Sequence, residues 1–268
     1  MRVTLLGTIG WMPSDRRETT CFACRSHDDL LIFDAGTGLR RLRDPAQAAL
    51  LDGVQQVHLF LTHYHLDHVC GLAYLPGVLP GRRLVIHAPA QTLNGVDPEG
   101  AVGGLLRKPY NPRDWEDLED VSVSPLPPEG EVVAGHTVRV RAQQHSDISV
   151  AYRVDDAMVL ATDTRPDPET ATFAAGVGLL LHEAWYNAAD PRTDDAPKSL
   201  LPGYASHSEV SAVAALAAEA DVGRLVAMHL NPLHDEDYYA ALEAAAQAVF
   251  PRSVVLPDGA VVDTDEAA

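Results

Sequence analysis

The stretch Thr62-His63-Tyr64-His65-Leu66-Asp67-His68 decides both the fold and the chemistry of this chain. It directly follows residues 57–61, an apolar run that predicts a buried strand. Residues two apart on an extended backbone face the same way, so His63 and His65 can meet at one ion. A turn into a helix would bring Asp67 and His68 round to a second ion. Since imidazole and carboxylate together suit zinc, manganese or iron, the stretch predicts a metal site.

Further candidate ligands follow later strand-like runs. The runs at 137–142, 158–161 and 224–228 come just before His145, Asp163 and His229. Active sites of α/β sheets collect side chains from the ends of several strands. A shared edge would gather seven donors, which exceed one tetrahedral zinc and match two ions bridged by a carboxylate. The donors are His63, His65, Asp67, His68, His145, Asp163 and His229. We therefore predict two divalent metal ions, with zinc preferred and manganese or iron also compatible.

The composition limits the partners. The 268 residues include 20 Lys and Arg against 38 Asp and Glu, a formal net charge of −18. Such a chain is a poor ligand for long polyanions, although bound dications could still attract a single phosphodiester. Three cysteines are too few for a disulfide framework, and no apolar stretch approaches the roughly 18 residues of a membrane span. We predict a cytoplasmic protein with a small-molecule substrate, no long nucleic acid and no membrane partner; a homodimer is compatible.

Strand-like and helical patterns alternate in the same order twice, without a linker rich in Pro, Gly and Ser. This order predicts one layered α/β domain over residues 1–268. The clearest helical patterns cover residues 209–219 and 236–250. Ser208 and Asp235 stand where the N-caps of these two helices belong.

Two short motifs have a structural interpretation beside a functional one. Cys21 and Cys24 have CxxC spacing, but positions three apart on a strand face opposite ways. They are predicted to be core cysteines rather than a metal or redox pair. Arg16-Arg17 and Arg107-Lys108 could contact an anionic substrate, although adjacent cations are usually solvated.

The sequence resembles the metallo-β-lactamase superfamily, over nearly the whole chain. Its HxHxDH motif matches His63, His65, Asp67 and His68, and its later ligands match His145, Asp163 and His229. The resemblance implies a four-layer αββα sandwich with the metals at one edge of the two sheets. It also implies that Asp34 orients the site and that Asp67 orients or deprotonates the attacking water.

Two further motifs resemble the ribonuclease Z-like branch. They are Leu181-His182-Glu183-Ala184 and Ser206-His207-Ser208. In that branch a Glu and a later His form a dyad that protonates the leaving alkoxide. The resemblance implies that Glu183 orients His207, which acts as the general acid. The alternative is a structural ion pair at Glu183 and a His207 that merely precedes a helix.

The chain departs from this branch at three places. His145 and Asp163 are only 18 positions apart, too close for the long tRNA-clamping arm of ribonuclease Z. The last motif continues as Leu230-Asn231 instead of Arg-Tyr, and Trp185 replaces a Thr. These departures favour a phosphodiesterase acting on a small, cyclic or nucleotide-like substrate. Trp185 and Tyr186 are either a stacking wall beside the metals or core aromatics.

The same ligand set is compatible with other activities. A thioesterase or lactonase of the glyoxalase II type shares the ligands without requiring the dyad. A tRNA 3′-processing endoribonuclease is a further alternative, disfavoured by the departures above. A di-iron redox protein is disfavoured because that branch has Glu in place of His65. A non-catalytic scaffold is disfavoured because no ligand is missing.

Overall fold

A computed structural model describes residues 1–112, 114, 117–118, 120–195 and 206–265. Strands make up most of the regular structure in these residues. They are β1 (Arg2–Gly7), β2 (Cys21–Ser26), β3 (Asp29–Phe33), β4 (Gln56–Phe60), β5 (Arg83–Pro89), β6 (Val121–Leu126), β7 (Glu131–Val133), β8 (His136–Gln143), β9 (Ser149–Val154), β10 (Met158–Ala161), β11 (Leu179–Glu183), β12 (Arg224–Met228), β13 (Ser253–Val255) and β14 (Val261–Asp263).

The strands within the described ranges form two seven-stranded sheets. The first has the order β14-β1-β2-β3-β4-β5-β6, and the second has the order β13-β12-β11-β10-β9-β8-β7. In each sheet one run of strands is antiparallel and the other is parallel. β3 and β10 stand at the change, each antiparallel to one neighbour and parallel to the other. The carboxyl ends of β1, β3, β4 and β5 therefore share one edge of the first sheet, and those of β8, β10, β11 and β12 share one edge of the second.

Helices cover the outer faces of the two sheets. The α-helices are α1 (Ala48–Leu51), α2 (Leu66–Val69), α3 (Leu75–Val78), α4 (Gln91–Asn94), α5 (Pro98–Leu105), α6 (Pro168–Phe173), α7 (Val210–Glu219) and α8 (Glu236–Val249). Short 3-10 helices cover Thr37–Arg43, Pro45–Gln47, Cys70–Tyr74 and Pro191–Asp195. None of the helices in the described part of the chain has both the length and the apolarity to cross a bilayer.

Three apolar layers hold the elements together. The middle layer lies between the sheets, where Phe33, Phe60 and Tyr152 are fully buried and their rings pack together. The other two layers lie between each sheet and its helices. Burial of apolar area on this scale is the main force that stabilises such a domain. The predicted four-layer αββα sandwich is confirmed.

Cys21 and Cys24 lie on β2 and are buried as free thiols, as predicted. Cys21 packs under the helices of the first sheet, whereas Cys24 packs between the sheets. Side chains three positions apart on a strand point to opposite faces, so the two thiols are separated by the sheet, as predicted from the sequence.

Two local predictions were wrong. Ser208 is not the N-cap of α7, because its hydroxyl donates to the Thr164 carbonyl at 2.8 Å and Glu209 caps the helix instead. Arg17 is neither a substrate contact nor a solvated cation. It is buried and pairs with Glu236 at 2.6 Å, which fastens the β1–β2 loop to α8.

Candidate metal centre

All seven predicted ligand residues meet at one edge of the two sheets. Their donor atoms form overlapping groups, each with every donor within 4.8 Å of the others. One group is His63, His65, His145 and Asp163; a second is Asp67, His68 and His229; a third is Asp163, His207 and His229. The edge is the one at which the carboxyl ends of β4, β8, β10 and β12 lie, as the strand directions require.

Asp163 stands between the two halves of the cluster. Its Oδ2 lies 3.1 Å from His68 Nε2 and 3.1 Å from His229 Nε2. Its Oδ1 faces the other half, 3.4 Å from His145 Nε2 and 3.9 Å from His63 Nε2. A carboxylate with one oxygen toward each set of imidazoles has the arrangement needed to bridge two cations.

Three residues of the centre have a left-handed backbone just after a strand. Asp34 follows β3 with φ 58°, Asp163 follows β10 with φ 51°, and His229 follows β12 with φ 49°. Residues other than glycine adopt this region rarely, and such outliers concentrate at functional sites. Each left-handed residue comes directly after its strand at this edge, where Asp163 and His229 belong to the cluster and Asp34 contacts His68.

A buried carboxylate supports the half formed by Asp67, His68 and His229. Asp34 is fully buried and accepts from His68 Nδ1 at 2.7 Å. The same carboxylate accepts the Thr62 backbone N–H at 2.8 Å, so it is held in place from two sides. This contact orients His68 with its Nε2 toward the cluster, in agreement with the supporting role expected for Asp34.

The other half is supported by weaker or more exposed groups. The Thr62 hydroxyl lies 3.1 Å from His63 Nδ1, and the Ser206 carbonyl accepts from His145 Nδ1 at 3.2 Å. Asp147 Oδ2 lies 3.0 Å from His65 Nε2. Each half therefore has one supporting carboxylate, but Asp34 is fully buried whereas Asp147 is 80% exposed.

The loop after β1 closes one side of the centre. The Trp11 backbone N–H donates to Asp67 Oδ2 at 2.6 Å. Gly10 lies against His229 so closely that an added Cβ would stand 2.2 Å from its ring. Only glycine leaves room for that imidazole, so Gly10 belongs to the centre although it has no chemistry of its own.

Neighbouring charges decide which groups of the centre stay ionised. Burial and then His68 lower the pKa of His63 well below its usual value, which keeps this imidazole neutral. Burial opposes charge on His229 as well, but Asp163 and Asp67 outweigh it and raise the pKa to about 10. Burial would raise the pKa of Asp163, yet His229 and His68 hold it well below its usual value. This carboxylate is thus ionised at neutral pH, as a cation ligand must be.

The residues present fit a pair of divalent ions. His63 Nε2 is buried and has no hydrogen-bond partner among the described residues, a state that costs free energy unless something binds the lone pair. The donor set of imidazoles and carboxylates matches the preference of zinc, manganese or iron. One ion would be held by His63, His65 and His145, the other by Asp67, His68 and His229, with Asp163 between them.

Glu183 and His207 lie beside the cluster. Glu183 Oε2 is 2.6 Å from His207 Nδ1, and Oε1 accepts the Thr164 backbone N–H at 2.6 Å. The His207 ring is 5.0 Å from that of His145 and stacks on Trp185 at 4.3 Å. Burial would raise the pKa of Glu183, but His207 lowers it below the usual value, so the carboxylate stays charged. Trp185 is a buried side chain that packs the dyad from one side.

Three contributors to the centre were missed in the sequence: Gly10, Trp11 and Asp147. Gly10 and Trp11 act through close packing and a backbone N–H, which leave no pattern in the sequence. Asp147 gave a weak signal, because it comes two residues after the predicted ligand His145.

A family model described as a β-lactamase superfamily domain matches residues 30–230, a range that contains all seven candidate ligands. The chain belongs to the metallo-β-lactamase superfamily. As a member of this superfamily it is a metal-dependent hydrolase, and its relatives place it in the ribonuclease Z-like branch.

Ribonuclease Z of Mycobacterium sp. (strain KMS) is 29% identical over 277 residues, which cover 96% of this chain and 94% of that protein. The metallo-β-lactamase fold protein YhfI from Bacillus subtilis superposes with a TM-score of 0.72 at 22% identity, over 98% of this chain and 99% of its own. A diphosphatase of the PhnP family gives 0.67 at 17% identity, over 98% and 97%. The two structural likenesses show the fold that this superfamily member shares.

Proposed function

We propose that this chain is a cytosolic phosphodiesterase with two divalent metal ions, which acts on a small, cyclic or nucleotide-like phosphodiester. The observation that carries the proposal is the contact between Glu183 and His207 beside the metal cluster. Cleavage of a phosphodiester needs a proton donor for the departing alkoxide, and a positioned imidazole is a suitable one. Thioester hydrolysis has a better leaving group and needs no such donor.

The proposed roles follow from the hydrogen bonds. Metal ions bound at the cluster would act as Lewis acids and lower the pKa of a bound water toward neutrality. Asp67 is fixed by the Trp11 backbone N–H and takes or orients the proton of the attacking water. His207 holds its Nδ1 proton against Glu183 and gives the proton on Nε2 to the departing oxygen. The Glu183 carboxylate contacts Nδ1 and so orients the ring for this donation.

The cleft beside His63, His65 and His145 supports a small substrate. It has a volume of about 420 Å³ and is also lined by Tyr64, Asn94, Val96, Ser146, Asp147 and Ile148. No Lys or Arg occurs among these described lining residues, so the cleft offers a polyanion no cation to bind. β9 and β10 are joined by a tight turn at Asp155-Asp156, which leaves no room there for a clamping arm.

The test is a substrate panel with protein of known metal content. Bis(p-nitrophenyl) phosphate, a dialkyl phosphodiester, a lactoyl thioester, a lactone and a pre-tRNA would be assayed with the wild type, Glu183→Gln and His207→Ala. We expect the wild type to turn over both small phosphodiesters. At unchanged metal content, both variants should lose most of their turnover of the dialkyl phosphodiester and much less of that of bis(p-nitrophenyl) phosphate, whose leaving group needs no proton. Thioester or lactone turnover alone would establish the alternative activity. Pre-tRNA cleavage would refute the restriction to small substrates.

A further inference from the structure

His65 is held less firmly by packing than the other imidazoles of the cluster. Its side chain is 36% exposed, whereas those of His63, His68, His145 and His229 are 5% exposed or less. It is also the last residue before α2, in extended backbone, and its side chain makes no capping hydrogen bond to that helix. An imidazole in this position depends on a specific partner for its orientation.

Asp147 is that partner. Its Oδ2 lies 3.0 Å from His65 Nε2, a distance typical of a hydrogen bond between imidazole and carboxylate. Asp147 belongs to the loop between β8 and β9 and comes two residues after His145. The contact therefore joins the loop that carries His63 and His65 to the loop that carries His145, the three imidazoles of one half of the centre.

The contact also fixes the position of the proton on the ring. A neutral imidazole carries one N–H, and the carboxylate of Asp147 can only accept. Nε2 of His65 must therefore carry the proton, and the lone pair stays on Nδ1. His68 has the opposite arrangement, since its Nδ1 contacts Asp34 and its Nε2 faces Asp163. The carboxylate partner thus contacts Nε2 of His65 and Nδ1 of His68, which leaves the other nitrogen of each ring for a metal ion.

We propose that Asp147 is a positioning residue that holds His65 in the Nε2–H tautomer, with Nδ1 directed at the metal ion of the His63, His65 and His145 half. The inference rests on the proposed metal centre. Outer carboxylates that orient a ligating histidine typically contribute about 10- to 100-fold to metal affinity. The other half has its own carboxylate in the fully buried Asp34, so its affinity does not depend on Asp147.

The side chain of Asp147 is 80% exposed, so its removal should have little effect on the stability of the fold. A solvated carboxylate contributes little to folding, so the variant should fold like the wild type. Asp147→Ala is thus expected to lower the affinity for one metal ion without changing the stability of the metal-free chain. Asp156→Ala is the matched control, because Asp156 is a 91% exposed carboxylate that pairs with Arg153 in the β9–β10 turn.

The experiment titrates the metal-free full-length chain with zinc against a chromophoric chelator. We expect two dissociation constants, of which one rises about 10- to 100-fold in Asp147→Ala and neither changes in Asp156→Ala. Asp147→Asn, whose amide oxygen can still accept from Nε2–H, should lie between the wild type and Asp147→Ala. Nitrogen-15 shifts of the His65 ring in the zinc-loaded protein should report Nε2–H in the wild type.

The outcomes separate this inference from the proposed function. If Asp147→Ala binds two zinc ions with wild-type affinities and His65 keeps its tautomer, Asp147 does not position the ring, and the proposed phosphodiesterase is unaffected. If the wild type binds fewer than two ions, the metal centre itself is refuted. Absence of phosphodiester turnover beside a normal Asp147 effect refutes the proposed reaction alone.

Discussion

His207 Nδ1 lies 2.6 Å from Glu183 Oε2, while Oε1 of the same carboxylate accepts the Thr164 backbone N–H at 2.6 Å. Both oxygens are thus engaged, and Thr164 is the residue after Asp163. The carboxylate that orients the imidazole is tied to the loop that carries the central aspartate. This connection couples the position of the proton donor to the position of the metal cluster.

If a residue is a general acid, its removal slows substrates with poor leaving groups more than substrates with good ones. Replacement His207→Ala should lower kcat for a dialkyl phosphodiester by roughly 10²- to 10⁴-fold, the usual contribution of acid catalysis. A p-nitrophenyl ester should lose much less, because p-nitrophenolate leaves without protonation. Steady-state kinetics on the two esters measure this difference. Equal losses on both would assign His207 to substrate binding, and Trp185→Phe, which keeps a ring against His207, is the control.

The contact of Gly10 with His229 predicts a steric effect. In Gly10→Ala the new methyl group would stand 2.2 Å from the His229 ring, so the ring or the loop must move. We expect a loss of about 1–3 kcal/mol in the free energy of unfolding, as overpacking typically costs. Zinc bound by the Asp67, His68 and His229 half should also weaken. Urea unfolding and metal stoichiometry measure the two effects.

Gly104→Ala is the matched control for this substitution. Gly104 lies in α5, and a Cβ added there meets no atom within 4 Å. Alanine should therefore be neutral or stabilise the helix by up to about 1 kcal/mol. If the two variants unfold alike, the close approach of Gly10 to His229 is not a constraint in solution.

Removal of the metal should destabilise the fold. Asp34, Asp67, Asp163 and Glu183 bring four carboxylates to the centre, and bound cations offset their repulsion. A metal at 1,000 times its dissociation constant adds about 4 kcal/mol to the free energy of unfolding. Dialysis against EDTA should lower Tm, and zinc should restore it. In Asp163→Asn the Tm should be much less sensitive to EDTA, and an equal response there would place the metal elsewhere.

A pair of buried histidines outside the metal centre predicts that the fold loses stability in acid. His58 Nδ1 lies 2.9 Å from His87 Nε2, and both rings are buried. Burial and then His58 lower the pKa of His87 from 6.5 to about 4. Between these pH values the unfolded chain binds more protons, so the free energy of unfolding falls as the pH is lowered. The full loss from this group is about 3 kcal/mol.

His87→Gln removes the titrating group and keeps an amide that can bond to His58. The free energy of unfolding, measured in urea from pH 7.5 to 4, should therefore fall less steeply in the variant than in the wild type. Parallel curves over this interval would show that His87 is not the source of the acid sensitivity.

The sequence predicted those parts of the centre that depend on strand direction. Four of the ligand residues come just after a strand-like run: His63, His145, Asp163 and His229. Residues in this position meet at the carboxyl edge of a sheet, whatever the conformation of the connecting loops. Successive side chains on a strand point to opposite faces, and this rule correctly predicted that Cys21 and Cys24 lie on different faces of β2.

Contacts between distant loops could not be predicted in this way. Asp147 reaches His65 across 82 positions, and the Trp11 backbone reaches Asp67 across 56. Ser208 had the right residue type and place for an N-cap, but its hydroxyl donates to Thr164 instead. The local sequence shows which hydrogen bonds a side chain can make, and the tertiary structure decides which of them it makes.

The position of β14 beside β1 has a consequence for biosynthesis. β14 (Val261–Asp263) pairs with β1 (Arg2–Gly7), so the first sheet draws its edge strand from the far end of the described chain. While the polypeptide emerges from the ribosome, the backbone of β1 has an open edge that could pair with another nascent chain. That edge is covered only when translation has passed the whole second sheet. Completion of the N-terminal sheet therefore waits for the synthesis of the second sheet, and until then the open edge of β1 is a site of possible misassembly.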